Sequence, residues 1–365
     1  MFTKLNNYSK HSFFMNLALK QAQINLGNTK TNPSVGCVIV KDGAVISSAV
    51  TSIKGRPHAE VKALKKSQNL QGSTMYVTLE PCTHYGKTSP CVNAILKKRI
   101  TKVCYPILDF DSRTRNKAKK FLNKKKIKVK IGTLRKQALI FYKSYFLFKK
   151  NKALPLVDAK IAISKDFFSV NKRKKWITNA FSRKKVHLIR SKYDCILSTY
   201  KSVNNDNSKL NCRIKGLEKL SPTRVIIDKD FKLKKNLDIY DSAKSIKTYV
   251  IIGKNNKKKE KFLKSKKVKI IKIFERKKSF SYQDILHRLK KMGFSRILCE
   301  SGFYTTNYLL RNNLIHNLYV FTSQKQLGKN GKNSYRNLLN KLKFKKKEKV
   351  NINLSGDQLY KTRIK

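Results

Sequence analysis

One imidazole, two thiols and a spare carboxylate lie close together early in the chain, in Pro57-His58-Ala59-Glu60 and in Pro81-Cys82-Thr83-His84-Tyr85-Gly86-Lys87-Thr88-Ser89-Pro90-Cys91. These are the parts of a catalytic zinc site. Zinc prefers nitrogen and sulfur donors in a tetrahedron, and three protein ligands leave the fourth position to a water whose pKa the metal draws toward neutrality. His58, Cys82 and Cys91 supply the three ligands. Glu60, two residues past the histidine, can reach that water without ligating. That is the place of the general acid/base in a hydrolytic deamination, in which hydroxide adds to an amino-bearing ring carbon and ammonia leaves. Each ligand is expected at a helix start, since Pro57 suits a first helical turn and both cysteines follow a proline; helix N-termini favour thiolate over thiol. The plainer account, in which these are ordinary core or surface residues, leaves the pairing of His-x-Glu with two Pro-Cys steps unexplained.

Holding these groups requires a sheet flanked by helices. Phe14, Leu17, Ala18 and Ala22 recur at helical spacing and predict an amphipathic helix over residues 9–26. Asn32-Pro33-Ser34-Val35-Gly36 turns into an apolar strand ending at Val40, and Asp42-Gly43 reverses it as a hairpin. After a helix at His58 come a strand over 75–79, the cysteine loop, a helix over 91–99, a strand over 102–107 and a helix over 134–148, an α/β alternation. Asn32 has two readings from the residues alone, a structural turn residue or a hydrogen-bond partner for a substrate ring. The lysine-rich stretch 149–152 before Pro155 marks a joint between a unit of residues 1–150 and one of residues 151–365. Beyond it the apolar pattern restarts at Leu156, with strands expected near 194–198, 224–228, 249–253, 268–273, 296–300 and 318–322. Helices over 181–190 and 282–292 interleave them, a second α/β unit with room for a nucleotide. Residues 351–354 and 358–363 are expected to close its sheet.

Length and composition bound what this machinery serves. A chain of 365 residues is long enough for two cores. Its formal net charge of +65, from 85 Lys and Arg against 20 Asp and Glu, invites a nucleic-acid reading. The lysines, however, run along the whole chain, Asn and Ile are abundant too, and no local basic stripe is interleaved with aromatics. The charge therefore reads as compositional drift on solvated faces, including the run 341–349, with RNA or another anionic partner as the lesser alternative. Of the seven cysteines only Cys82 and Cys91 form a ligand-like set. Cys37, Cys104, Cys195, Cys212 and Cys299 read as buried small hydrophobes, which argues for a reducing, cytoplasmic setting. The first apolar run, 13–19, is broken by Asn16, and no stretch has the length of a membrane span.

The two motifs, with Thr78-Leu79-Glu80 leading into the second, resemble the deaminase half of the bifunctional riboflavin-biosynthesis deaminase/reductase family. Eight residues separate the cysteines, where cytidine and transfer-RNA deaminases have two, and His84, Gly86 and Lys87 fill the insertion. The second half resembles the reductase half of the same family in Lys160-Ile161-Ala162-Ile163-Ser164-Lys165-Asp166, Trp176-Ile177-Thr178, Arg190, Tyr193 to Leu197, Asp206-Asn207, Leu210, Arg213 and Glu300-Ser301-Gly302, in family order. The resemblance implies a cytidine-deaminase-like α/β/α domain followed by a dihydrofolate-reductase-like α/β domain, with zinc in the first and NADPH in the second. The first would deaminate a diaminopyrimidine ribosylamine phosphate, and the second would reduce the ribosyl product. It places Asn32, Lys87 and Asp109 against the deaminase substrate, and Arg190, Leu210, Arg213 and Glu300 against the reductase substrate, with guanidinium forks suited to a phosphate. Ala162, Trp176, Ser202, Asp206 and Gly302 fall on the cofactor side, with Gly302 letting backbone amides approach a pyrophosphate. Lys160 and Glu300 are the implied catalytic groups of the reductase and Glu60 that of the deaminase.

The chain departs from the family at five places, one of them the segment up to Trp176, which is shorter and filled with lysines. Asp109-Phe110-Asp111-Ser112 replaces a proline-rich turn, Phe167 and Ser301 replace glycines, and Asn207-Ser208 replaces Asn-Pro. A reshaped substrate loop and looser cofactor binding are expected. The expected partner is therefore a small pyrimidine ribosyl phosphate, with no specific nucleic acid and no membrane, and a homo-oligomer is allowed. The sequence leaves three alternatives: a deaminase with a degenerate second half, an RNA-editing zinc deaminase, and a nucleic-acid-binding protein without enzymatic activity.

Overall fold

The computed structural model describes residues 7–273, 281–342 and 347–365, with side chains from residue 10 onward. The chain divides into two compact units, residues 1–153 and 154–365.

The first unit starts with helix α1 (Asn7–Ile24) and the hairpin β1 (Gly36–Lys41) and β2 (Ala44–Val50). There follow α2 (Ala59–Lys65), β3 (Thr74–Val77), α3 (Cys91–Lys97), β4 (Lys102–Tyr105), α4 (Ala118–Lys124), β5 (Lys128–Ile131), α5 (Arg135–Phe141) and α6 (Lys143–Lys149). The strands form one sheet in the order β2-β1-β3-β4-β5, with β1 antiparallel to both neighbours and β3, β4 and β5 parallel. Side chains alternate across it. Cys37, Ile39, Met75, Val77, Val103 and Tyr105 enter the main core, while Val38, Val40, Tyr76 and Cys104 face the α1 residues Phe14, Met15 and Ala18. Helix α1 lies so close on β1 that a Cβ on Gly36 would fall 1.9 Å from the Ala18 carbonyl oxygen.

Three expectations are corrected here. Helix α2 starts at Ala59, so Pro57 precedes it, and Cys82 begins no helix but lies in a loop. The helix expected over 134–148 is two, meeting at Tyr142. There the fully buried phenol takes part in bonds with Thr78 Oγ1 (2.5 Å) and the Ser34 carbonyl (3.2 Å), and the chain bends to seat it. Helix α4 and strand β5 were not anticipated, because the buried residues Ala118 and Leu122 of α4 are scattered among lysines and β5 has no fully buried residue.

The second unit contains β6 (Leu156–Ile163), β7 (Phe168–Asn171), α7 (Ala180–Arg190), β8 (Cys195–Thr199), α8 (Tyr200–Asp206), β9 (Thr223–Ile227), α9 (Asp238–Asp241), β10 (Thr248–Ile252), α10 (Lys257–Ser265) and β11 (Lys269–Lys272). It continues with α11 (Tyr282–Lys291), β12 (Arg296–Cys299), α12 (Phe303–Arg311), β13 (Asn317–Thr322), β14 (Gly331–Ser334), α13 (Arg336–Lys341), β15 (Glu348–Lys349) and β16 (Gln358–Arg363). Among the described residues nine strands pair in the order β11-β10-β9-β8-β12-β6-β13-β16-β15, parallel from β11 to β13, and β7 pairs with β14 apart from them. Both faces are buried: Val157, Ala159, Ile161, Leu197 and Ile297 on one, Ile196, Ile226, Val250 and Leu298 on the other.

The winding decides where a ligand can bind. From β6 the chain crosses to β8, winds outward through β9, β10 and β11, and returns to insert β12 between β8 and β6. The carboxyl ends of β6, β8 and β12 thus meet where the winding reverses, which in open parallel sheets is the ligand crevice. The closing strand β15 is residues 348–349; of the expected 351–354 only Leu354 pairs, in a single bridge to Asp357. Within the charge run 341–349, residues 343–346 lie outside the described residues. No helix among the described residues is long and apolar enough to cross a membrane.

Candidate active sites

In the first unit the three expected zinc ligands come together. His58 caps the N-terminus of α2, Cys91 is the first residue of α3, and Cys82 lies in the loop between β3 and α3. Their donor atoms all lie within 4.8 Å of one another, with His58 Nδ1 3.3 Å from Cys91 Sγ and 3.7 Å from Cys82 Sγ. The Cys91 amide, the first of α3, donates to Cys82 Sγ at 3.2 Å. Cys82 therefore gains the helix N-terminus that its own backbone lacks. Hydrogen bonding from the Cys91 thiol, with His58 and the Cys91 amide adding to it, draws the Cys82 thiol down to about 4, while Cys91, as the donor and a buried group, is pushed up.

Glu60 sits in the first turn of α2, buried. Burial raises its pKa, His58 opposes the rise, and the Cys82 charge adds to it. Its Oε2 is buried without a hydrogen-bond partner, a cost that a protein-only site does not explain. One imidazole nitrogen, two sulfurs and an unmet carboxylate oxygen fit a zinc ion with its water.

The substrate-side expectations are partly assembled. Asn32 Nδ2 donates to the Gly55 carbonyl (2.9 Å), tying the turn after α1 to the segment that enters His58. Gly55 itself has φ +90, and a Cβ there would sit 2.7 Å from the Asn32 side chain. Lys87 is exposed on the cysteine loop, beside Arg56, which bonds Thr88 Oγ1. Asp109 is buried. Its Oδ1 accepts from Tyr145 Oη (3.1 Å) and the Asp111 amide (3.0 Å), and burial pushes its carboxyl up to about 6. In the loop that departs from the family, Asp111 takes a two-pronged contact from Arg113 and another from Lys149, and the fully buried Thr114 bonds His84 Nδ1 at 2.9 Å. Glu80, to which no role attaches in the sequence, accepts from four backbone amides of this loop. The only sequence signal was its place in the motif, two residues before Cys82.

In the second unit Lys160, Arg190 and Glu300 meet in the crevice. Arg190 Nε and Nη2 grip Glu300 Oε1 and Oε2 at 2.6 and 3.0 Å, and Lys160 Nζ approaches Oε2 at 3.2 Å. Burial pushes the Glu300 carboxyl up, but Arg190 and then Lys160 outweigh it, and the net value falls from 4.5 to about 2. The Arg190 fork is engaged by Glu300, and its Nη1 donates to the Asn211 carbonyl (3.0 Å). His187, unanticipated, joins the same carbonyl at 2.8 Å, and burial and then Arg190 hold its pKa down to about 4. Leu210 is buried with a left-handed φ of +46. The carbonyl before it is held by the fully buried Arg224 (3.0 Å) and the one after it by Arg190, so strain at this position is fixed from both sides. Arg213 is exposed and bonds Asn211 Oδ1 (2.7 Å).

Among the cofactor-side residues, Ser202 and Gly302 are neighbours, since a Cβ on Gly302 would sit 3.3 Å from Ser202 Oγ. Gly302 caps α12, whose free amides face the crevice end of β12. Asp206 ends α8, within electrostatic reach of Lys160 and Lys175. Ala162 is half-buried on β6. Trp176 is half exposed under the Arg183 guanidinium, 4.9 Å from its ring centre. The two lost glycines differ in consequence. Phe167 keeps the left-handed conformation, at φ +74, whereas Ser301 is not left-handed and turns its hydroxyl to Cys299 Sγ (2.9 Å) and Thr306 Oγ1 (3.4 Å). A glycine is thus not needed at 301 for the backbone to take its path.

Comparison with known proteins matches residues 8–107 to the cytidine and deoxycytidylate deaminase zinc-binding region and residues 155–354 to the RibD C-terminal domain. The chain is 31% identical over 345 residues to the riboflavin biosynthesis protein RibD of Aquifex aeolicus, covering 93% of this chain and 95% of that one. The structure of RibD from Acinetobacter baumannii (form 1) superposes with a TM-score of 0.82 at 26% identity, over 98% of this chain and all of that one. The Thermotoga maritima diaminohydroxyphosphoribosylaminopyrimidine deaminase/5-amino-6-(5-phosphoribosylamino)uracil reductase gives the same TM-score at 28% identity, over 99% of this chain and 100% of that one.

Proposed function

The chain belongs to the bifunctional RibD family of riboflavin-biosynthesis deaminase/reductases, and from that premise we propose which substrate each unit takes and which residues act on it. It is a deaminase and a reductase, with a zinc-binding His/Cys/Cys set in the cytidine-deaminase-like half and an NADPH-dependent, dihydrofolate-reductase-like second half. The deaminase substrate in this reading is a diaminopyrimidine ribosylamine phosphate, and residues 1–150 and 151–365 carry the two reactions in turn. When bound, zinc supplies a water acidified toward neutrality and NADPH supplies a hydride. His58, Cys82 and Cys91 would hold the zinc. Glu60 takes the proton from the attacking water and hands it to the departing amino group; its raised pKa suits a group that must both accept and release a proton. Asn32 orients the pyrimidine, while Lys87 and Asp109 meet the ribosyl phosphate.

In the second unit, where bound NADPH would supply hydride to the anomeric carbon, the ring oxygen takes the proton that opens the ribose to a ribityl chain. Lys160, held against Glu300, delivers that proton, and Arg190 fixes Glu300. Leu210 and Arg213 line the substrate side, and Ala162, Trp176, Ser202, Asp206 and Gly302 the cofactor side. Seven free cysteines support a reducing, cytoplasmic setting.

The observation that carries the reading is the buried, partnerless Glu60 Oε2 beside three converging metal-donor atoms. The test is a two-step assay on the full chain: ammonia release from the pyrimidine with zinc present, then oxidation of added NADPH. Glu60→Gln should keep its zinc and lose deamination by about a thousandfold or more, because a carboxamide accepts no proton. Undiminished deamination in that variant, or folded protein that binds no zinc, would overturn the reading.

A further inference from the structure

Glu80 is almost fully buried, and its carboxylate binds no side-chain cation among the described residues, although the chain carries 85 lysines and arginines. It takes backbone amides instead. Oε2 accepts from the amides of Asp109 and Asn116, and Oε1 from those of Lys117 and Ala118, each at 3.0 Å. Lys117 thus offers Glu80 its amide while its ammonium goes to the Arg113 carbonyl. A carboxylate whose lone pairs are filled by four amides shapes the chain around it rather than neutralising a charge.

The chain so shaped is the segment from Asp109 to Ala118, where the family's proline-rich turn has been replaced. Turns within the segment are closed by its own bonds, with the Thr114 and Arg115 amides on the Asp111 carbonyl and the Arg113 guanidinium on the Asp111 carboxylate, and Asn116 is left-handed at φ +62. Tyr145 and Lys149 hold the Asp109 and Asp111 side chains, and Glu80 is the group that gathers the backbone at both ends of the segment. Two contacts bind it to the cysteine loop, Glu80 at one end of that loop and His84 through Thr114 in the middle. Glu80 is two residues before the metal ligand Cys82, so the loop that presents a ligand and the loop that presents Asp109 share one anchor.

We propose that Glu80 is a positioning residue for the deamination: by gathering the amides of Asp109, Asn116, Lys117 and Ala118 it fixes the wall of the zinc site against which the ribosyl phosphate of the substrate rests. This builds on the deaminase reading above. Glu80 touches neither metal nor substrate, and acts by denying Asp109 the freedom to withdraw. Its loss should therefore weaken substrate capture and leave the chemistry at Glu60 intact.

The test is Glu80→Gln in the full chain. The variant's amide nitrogen faces two amide donors, so one pair of bonds is lost while volume is kept. The Michaelis constant for deamination should rise about tenfold or more, with kcat within about threefold and zinc content unchanged. Backbone amides 109 and 116–118 should exchange with deuterium at least about tenfold faster than in wild type. Unchanged zinc content shows that the first unit is folded, and NADPH-dependent reduction by the same chain, supplied with deaminated substrate, normalises for the amount of intact protein. A Michaelis constant within about twofold of wild type, or a loss of zinc and kcat together, overturns the proposal. Should Glu80→Gln not fold, wild-type exchange alone decides: if amides 116–118 exchange as fast as those of the exposed segment 85–89, no clamp exists. That readout involves no substrate, so a failure of the deaminase reading itself remains distinguishable.

Discussion

Replacing Arg190 by methionine tests the charge cluster of the second unit quantitatively. The substitution keeps most of the aliphatic stem and removes the fork that holds Glu300 at 2.6 and 3.0 Å, leaving a buried carboxylate with only Lys160 at 3.2 Å. The Glu300 carboxyl stands at about 2 in the fold against an ordinary 4.5. At about 1.4 kcal/mol for each tenfold change in proton affinity, its ionised form contributes roughly 3 kcal/mol to folding, within the range found when a buried pair is broken. Because the folded value is depressed, that contribution is complete above 4.5 and is lost as pH falls through about 2. At neutral pH the variant should accordingly lose about 3 kcal/mol. Trp176 is the single tryptophan of the chain and lies in this unit, under Arg183, so fluorescence during urea unfolding follows this unit without interference from the other. A second substitution, Glu300→Gln, removes the stranded charge, and the double variant should recover at least about 1.5 kcal/mol of the expected sum of losses. Losses that add to within about 0.5 kcal/mol would show that the two side chains do not depend on each other, and would refute the reasoning.

Removing a metal ligand gives a complementary result: Cys82→Ser should abolish zinc binding and deamination while reduction by the second unit continues, measured by metal analysis and NADPH oxidation on one preparation. Retained stoichiometric zinc would show that Cys82 is not a ligand. At residue 167, where φ is +74, Phe167→Gly should be more stable than Phe167→Ala by about 1 kcal/mol in the same urea titration, since glycine alone tolerates that backbone without cost. The opposite order would mean that the chain does not take the left-handed path there.

The metal set was legible because its ligands and Glu60 are close in sequence and each type has a narrow chemistry, and Gly302 could be placed because strand-glycine-helix is a local pattern. Arg190 was legible as a functional charge, but not for what it faces. Its partner Glu300 is 110 residues away, and a guanidinium suits a carboxylate as well as a phosphate. Glu80 was silent for a different reason: its partners are backbone amides, which every residue offers alike. Helix α4 and strand β5 were hidden by composition, since a lysine excess fills solvent-facing positions and blurs the period on which their recognition depends. Tyr142 shows the same limit at an element boundary. The periodicity of 134–148 is that of one helix, and only the seat beside Thr78 and Ser34, far away in sequence, divides it.

His58 and Cys91 head successive helices with β3 between them, 33 residues apart. A cation held by both closes that stretch into a ring and ties down its loop, where residues 85–89 are all exposed and include Lys87. Metal supply then governs the survival of the protein in the cell as well as its turnover. A chain short of zinc offers proteases a basic residue on a segment that has lost one of its restraints, so starvation for the metal would deplete the amount of protein, and with it the reductase that needs no zinc.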